Sequence, residues 1–182
     1  MCIRDRSNSL DYATDYPWDM DKRTITDDEL VRRDSWQSKF MPSGAFVAGR
    51  VDNTHWLSFG TPDILPILYS KQPVLMTSNS AEAIIRIGSI EPNNGSEIKQ
   101  LNWSTIPANH DIKVRMSGLV WPEASERIAN SAYLTREQIG NGQLILFSGQ
   151  PNFRGSTRGT SRLWLNAVVY GAGLGTTPRI NL

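Results

Sequence analysis

Residues 143–171, QLILFSGQPNFRGSTRGTSRLWLNAVVYG, decide the fold that the sequence predicts. The apolar, β-prone run 144–147 meets a cluster of chain breakers, Gly149-Gln150-Pro151, and a helical pattern follows over 160–170 and ends at Gly171. A strand, a Gly/Pro turn and a helix form the repeating unit of an α/β sheet. The sequence therefore predicts a single α/β domain with a central, mostly parallel sheet flanked by helices. Such folds build their sites just beyond the carboxyl ends of the strands.

The segment that follows this strand contains Gln150, Asn152, Arg154 and Arg158, with no histidine and no cysteine. Ser148 is not preceded by the glycine of a Gly-x-Ser-x-Gly nucleophile elbow, and neighbouring Gln150 is not a base. We therefore expect a site position without catalytic residues.

Working outward, the turn signal Gly140-Asn141-Gly142 joins 133–139 to 143–147 and predicts a β-hairpin before the last helix. Near the start, Thr26-Asp27-Asp28-Glu29 has the pattern of a capping box, which predicts a helix over 27–40. A short helix is predicted at 122–130, with Pro122 in its first turn. A loop is expected at 91–97. The remaining predicted strands are 44–51, 64–69, 73–76, 83–87 and 113–120.

Length and composition fit one globular domain. The chain has 182 residues, 39% hydrophobic and 20% charged, with a formal net charge of +1. This charge gives no electrostatic reason to expect nucleic acid as a partner. No apolar run approaches the roughly 18 residues of a membrane-spanning helix.

The expected organisation has four parts. Residues 1–6, MCIRDR, resemble a translated sequencing adapter, so Met1 and Cys2 are expected to be foreign and the chain to be a piece of a longer protein. A linker and the capped helix occupy 7–42, the α/β domain 43–175 and a tail 176–182. Chance is the alternative explanation for the first six residues.

Metal and cofactor chemistry has few candidate ligands. The histidines are His55 and His110, and neither is followed by Glu three residues later. Catalytic zinc usually has three protein ligands, so we expect no zinc site and no cofactor in this chain. His55, beside Trp56, is expected to pack under a loop and bond a carbonyl group.

The arginines after the last strand allow two interpretations. An unpaired buried arginine is costly, so we expect at least Arg158 to have a carboxylate partner, with Asp52, Asp63 and Glu123 as candidates. The alternative is that the cluster binds an anion. Most of the six tryptophans, including Trp164 in the apolar last helix, are expected in the core.

Three blocks of sequence, 52–60 (DNTHWLSFG), 117–123 (SGLVWPE) and 142–171, resemble the C-terminal region of large bacterial zinc carboxypeptidase-like metallopeptidases. The resemblance implies that the zinc ligands and the catalytic glutamate lie in a peptidase domain upstream. It also implies a periplasmic or extracellular location, and that upstream domain as the partner. No zinc-site residue of the family has a counterpart in this chain.

The same region is similar in outline to the class I glutamine amidotransferase fold, a flavodoxin-like α/β fold in which a strand ends in His-Pro-Glu-Phe. Gln150-Pro151-Asn152-Phe153 stands in that place here. Gln and Asn cannot perform the acid–base work of His and Glu, so the resemblance implies a degenerate site at Gln150 and Asn152.

Three functions follow as expectations. The first is a non-catalytic C-terminal accessory domain of an exported zinc carboxypeptidase-like protein. The second is an independent module that binds an anionic or glycan ligand through Arg154, Arg158 and exposed tryptophans. The third, an active amidotransferase-like enzyme or serine hydrolase, requires a base within reach of Ser148 or another hydroxyl. The sequence leaves the oligomeric state open.

Overall fold

The structure is a computed structural model that describes residues 26–77, 80–95, 98–101 and 104–174. The adapter-like residues 1–6, the linker before Thr26 and the tail 176–182 lie outside these ranges, so the expectations for those segments have no structural counterpart here.

The described chain contains three α-helices and ten strands. The helices are α1 (Asp27–Gln37), α2 (Pro122–Ile128) and α3 (Arg158–Tyr170), with short 3₁₀ turns at Ser38–Phe40, Trp56–Ser58 and Phe153–Gly155. The strands are β1 (Ser43–Val51), β2 (Ile64–Ser70), β3 (Ala81–Ile87), β4 (Ser89–Pro92), β5 (Lys99–Leu101), β6 (Ser104–Ile106), β7 (His110–Lys113), β8 (Arg115–Ser117), β9 (Ala132–Ile139) and β10 (Gly142–Phe147).

The main sheet has six strands in the order β10-β9-β3-β1-β2, with β8 paired to β1, and its ladders are antiparallel. It forms a half-barrel. The predicted central parallel sheet of glutamine amidotransferase-like or flavodoxin-like type is therefore wrong. Parallel neighbours need a crossover of a dozen or more residues, usually a helix. Here β1 and β2 are joined through a single 3₁₀ turn, and β9 and β10 through a tight turn.

Several local predictions also fail. The predicted strand 73–76 reduces to one isolated bridge between Leu75 and Ala132. The predicted strand 113–120 is divided between the end of β7 and β8, and the predicted loop 91–97 begins inside β4. The strand pairs β4-β7 and β5-β6 form two small sheets beside the main one.

The hairpin and the helices are confirmed. β9 and β10 pair antiparallel from Gly142–Ile139 to Phe147–Leu134, as the turn signal indicates. The Thr26 hydroxyl accepts a hydrogen bond from the Glu29 amide at 3.3 Å, which caps α1. α1 ends earlier than predicted, at Gln37, and continues as the 3₁₀ turn Ser38–Phe40.

The core is formed by the main sheet together with apolar residues of α2 and α3. Its fully buried side chains include Leu57, Ile67, Ile85, Leu134 and Leu163. Helix α3 approaches β2 closely: a Cβ atom added to Gly159 would lie 2.4 Å from Leu65 Cδ2. A glycine at the start of α3 is therefore what lets the helix rest directly on the sheet.

Helix α1 is held against α2 by polar contacts. Arg33 Nη2 and Gln37 Nε2 both donate to Glu126 Oε2, at 3.1 and 2.9 Å. Arg127 Nε and Nη2 donate to the two carboxylate oxygens of Asp34 at 2.9 and 3.1 Å. In the described ranges no helix combines the length and the apolarity needed to cross a bilayer.

Candidate functional site

The loop after β10 contains the residues that the sequence marked as a degenerate site. Gln150 and Asn152 are exposed, and Asn152 precedes the 3₁₀ turn Phe153–Gly155 without making a side-chain cap bond. Arg154 adopts the left-handed conformation (φ 48°), and its guanidinium carbon lies 5.1 Å from the centre of the Phe153 ring. Because the sheet is antiparallel, the rule that placed a site at this edge of a parallel sheet does not apply.

A cavity of about 430 Å³ nevertheless lies beside this loop. Its polar lining comes from Ser70, Gln72 and Gln150, and Phe153 contributes an aromatic wall. Gln72 Nε2 donates to the Leu68 carbonyl at 2.9 Å, and its amide lies so close to Gly149 that a Cβ there would be 2.0 Å away. None of the described residues that line the cavity is charged. It can therefore offer hydrogen bonds and one aromatic face to a small polar ligand.

In the part of the chain that the structure describes, no base bonds Ser148. Its side chain is buried, and its Oγ atom has no hydrogen-bond partner among the described residues. A serine nucleophile needs a neighbouring general base to remove its proton. The described part of the chain thus places none of the groups that the serine hydrolase hypothesis requires at this hydroxyl.

The second group of expected residues, His55 and Trp56, lies elsewhere, between β1 and β2. His55 Nδ1 accepts a hydrogen bond from the Leu57 amide at 3.1 Å and so caps the 3₁₀ turn Trp56–Ser58. The expectation that His55 bonds a carbonyl is wrong, because this nitrogen accepts from an N–H. Its ring is 5.3 Å from that of Trp56.

Glu82 joins His55 to Arg136. Glu82 Oε2 is 3.5 Å from His55 Nε2 and 3.5 Å from Arg136 Nη1. Burial lowers the pKa of His55 below its ordinary value of 6.5, and the negative charges of Glu82 and Asp52 offset only part of this effect. A neutral imidazole whose Nδ1 accepts must hold its proton on Nε2. Its basic nitrogen is then already occupied, so His55 orders a turn and is not poised to abstract a proton.

The same turn is tied to α3 by a residue that the sequence prediction missed. Asn166 is 2% exposed, and its Nδ2 donates to the carbonyls of Leu57 at 2.8 Å and Phe59 at 2.9 Å. Arg162 Nε adds a bond to the Phe59 carbonyl at 3.3 Å. The sequence does contain a signal for this contact. Asparagine has a low helix propensity, so an asparagine within an apolar helix suggests that its side chain has a hydrogen-bond partner.

Arg158 does not form the expected ion pair. It is exposed at the start of α3 and has no carboxylate partner among the described residues. Two of the candidate partners are engaged elsewhere: Asp52 accepts from the Thr54 amide at 3.0 Å, and Asp63 accepts from the Asn53 side chain. Glu123 is buried in α2.

The polar and apolar side chains of α3 are distributed unusually between its two faces. The buried face includes two polar residues, Thr160 and Asn166, whereas the outward face is apolar. The large apolar side chains exposed on α3 are Trp164, Leu165, Val168, Val169 and Tyr170. The expectation that Trp164 belongs to the core is therefore wrong, although Trp36 is buried and Trp56 and Trp121 pack against the core.

Among the residues that the structure describes, neither histidine belongs to a group of three potential metal ligands. His110 lies in β7 with Nδ1 3.0 Å from the Ala108 carbonyl oxygen. Across the described ranges, no three side chains of His, Cys, Asp or Glu come together in a group that could hold a metal ion. The prediction that this chain has no metal or cofactor stays a prediction.

Comparisons of this chain with protein-family models, with curated proteins and with solved structures give no match.

Proposed function

We propose that this chain is a non-catalytic accessory domain of a larger, exported zinc carboxypeptidase-like protein, and that it docks on the peptidase domain through the outer face of α3. The sequence blocks 52–60, 117–123 and 142–171 support the parent family by resemblance. The observation that supports docking is the apolar outer face of α3, which we call the α3 face and define as Trp164, Leu165, Val168 and Val169.

The α3 face is a continuous stripe, because its four residues lie one turn apart in pairs. Val168 and Val169 are 59% and 58% exposed, far more than large apolar side chains in a covered helix. Contiguous exposed apolar patches mark interaction surfaces. Burying what remains exposed on such residues contributes about 1 kcal/mol each, so the face can stabilise docking by about 4 kcal/mol in total.

Two polar contacts support a structural role for this region: His55 caps the turn Trp56–Ser58, and Asn166 ties that turn to α3. Together they hold the helix rigidly on the sheet with its apolar side outward. Zinc, the activated water and the general base of the parent's reaction are assigned to the upstream domain by resemblance, and no step of that reaction is assigned to this chain.

The experiment begins with the reading frame upstream of Ser7, taken from an assembly free of adapter sequence. The peptidase domain that it encodes is produced separately and titrated with this chain by calorimetry. We expect saturable binding that V168D/V169D weakens at least about tenfold. V31D is the matched control, since Val31 is equally exposed on α1. A frame without a zinc peptidase domain, or binding that is insensitive to V168D/V169D, contradicts the proposal.

A direct test of the non-catalytic role uses residues 7–182 alone. We expect no stoichiometric zinc by elemental analysis and no release of C-terminal amino acids from peptides. Robust metal-dependent release refutes this part of the proposal independently of the docking experiment.

A second candidate function is supported by the cavity beside the β10 loop. Arg154 and Arg158 are exposed and form no ion pair with described residues, and Gln150 and Phe153 line the adjacent cavity. Hydroxyl-binding amides, an aromatic ring and nearby cations suit an acidic sugar. Titrating the ¹⁵N-labelled chain with glucuronic acid and with glucose tests this function. Changes in the amide chemical shifts of Gln150 and Phe153 that occur with the acid alone, and are lost in R154A, support it. Unchanged spectra with both sugars exclude it.

A further inference from the structure

The two strands that end the order β10-β9-β3-β1-β2 protect their outer edges differently. At the β2 edge, Ala48 directs its N–H to the Val114 carbonyl at 2.8 Å and accepts from the Gly88 amide at 2.6 Å, on the side away from β2. The cross-strand pair Ala48–Pro66 is therefore not hydrogen-bonded, and the Pro66 nitrogen faces outward. A proline at an outward position removes a donor from an edge and discourages a further strand.

The β10 edge has no such protection. Its sequence, GQLILF, contains neither proline nor a charged residue. Ser148 N donates to the Tyr133 carbonyl at 2.8 Å, which fixes the alternation along the β9–β10 ladder. The backbone groups of Gln143, Ile145 and Phe147 consequently point away from β9. Within the described ranges, no residue bonds these outward N–H and C=O groups.

Side chains on one face of β10 are exposed as well. Leu144 and Leu146 are 40% and 44% exposed, although they lie within the strand. Ile145 points to the other face, where its Cδ1 atom lies 3.8 Å from the position of a Cβ built on Gly171 at the end of α3. The β10 edge therefore combines open backbone hydrogen bonds with two solvent-exposed leucines.

We propose that this edge pairs with the β10 edge of a second copy of the chain, antiparallel about a twofold axis at Ile145. In that register the outward residues match throughout: Gln143 lies opposite Phe147 of the second copy, and Ile145 lies opposite its own equivalent. Each hydrogen-bonded pair exchanges two bonds, so the pairing forms about six interchain hydrogen bonds.

Charge and side-chain pairing fit a second copy as the occupant. The same register places Leu144 opposite Leu146 of the second copy, twice, at non-hydrogen-bonded positions where side chains come closest. A strand without charge brings no like charges together when it meets itself. A twofold interface uses the same surface on both partners. The outward residues Gln143 and Phe147 are equally far from Ile145 along β10, so a twofold axis at Ile145 pairs each with the other. The two half-barrel sheets become one continuous sheet.

The experiment measures the mass of the full 182-residue chain by sedimentation over a range of concentrations, together with amide exchange. We expect a dimer in which the amides of Gln143, Ile145 and Phe147 are protected. L144K/L146K places lysines directly opposite one another and is expected to raise the dimer Kd about thirtyfold or more, exposing the same amides. V31K/L119K, which alters two apolar sites that lie away from β10 and are more exposed than Leu144 and Leu146, is the control and should leave the Kd unchanged.

Charge complementation separates pairing from misfolding. L144K/L146K and L144E/L146E are each expected to be monomeric, and their equimolar mixture is expected to form a heterodimer that salt weakens. A chain that is monomeric at every concentration overturns the proposal, whether or not the three amides are protected. So does a dimer in which those amides exchange freely, or a mixture that does not associate.

Discussion

Replacing Asn166 with alanine removes the link between α3 and the turn Trp56–Ser58. The carbonyl of buried Leu57 loses its donor, and the carbonyl of Phe59 keeps only the weaker bond from Arg162 at 3.3 Å. Leaving a buried acceptor unsatisfied costs about 1–3 kcal/mol, and losing the second bond costs about 1 kcal/mol. Alanine returns about 0.5 kcal/mol of helix propensity. We expect N166A to lower the free energy of unfolding by about 1.5–3.5 kcal/mol.

Urea unfolding followed by circular dichroism measures this loss, and the midpoint should fall by roughly 1 M with an unchanged slope. N152A is the matched control, because Asn152 is exposed and makes no cap bond. N166D adds a second criterion: a carboxylate facing two carbonyl oxygens should destabilise at least as much as alanine, and more as pH rises through its titration. If N166A costs less than about 0.5 kcal/mol, or no more than N152A, the assigned role of Asn166 is refuted.

Three further predictions concern the core and its polar contacts. Burial lowers the pKa of His55 in the folded state below the unfolded value of about 6.5. The stability that His55 contributes is therefore present above pH 6.5 and is lost as the pH falls through the folded pKa. An imidazole resonance of His55 that titrates above pH 6.5 contradicts this prediction. G49A, whose Cβ would lie 2.3 Å from Ile67 Cδ1, should cost about 1–3 kcal/mol in urea unfolding, whereas G142A, with no contact closer than 3.7 Å, should cost much less. E126A removes the acceptor shared by two side chains of α1 and should cost about 1–3 kcal/mol; an unchanged midpoint would show that the shared acceptor contributes nothing.

Local sequence patterns predicted the elements better than their arrangement. The capping box at Thr26, the turn at Gly140-Asn141-Gly142 and the last helix each depend on neighbouring residues, and each is confirmed. The strand–turn–helix pattern at 143–171 is also real, but the same unit ends an antiparallel sheet here. The lengths of the connections were the better guide, because the described parts of 52–63 and 71–80 contain no helix long enough to cross between parallel strands.

The polar contacts of the candidate site could not be predicted from the sequence. Glu82 meets Arg136 because the β3–β9 register sets them opposite each other, and His55 reaches the same carboxylate from a loop. Register depends on the pairing of distant strands, so no spacing along the chain reveals it. The ion pair expected at Arg158 does not form for a different reason: only a buried arginine needs a carboxylate partner, and Arg158 is exposed.

The contacts between α1 and α2 make the first helix sensitive to ionic strength. Glu126 and Asp34 are 26% and 27% exposed, so added electrolyte screens their attraction to Arg33 and Arg127, while the apolar packing of the half-barrel is not weakened by charge screening. Helix α1 should therefore lose some stability at salt concentrations that leave the sheet unaffected. Trp36, buried in α1 with its ring centre 4.6 Å from that of Phe40, would report a loosening of α1 as a red shift of its fluorescence.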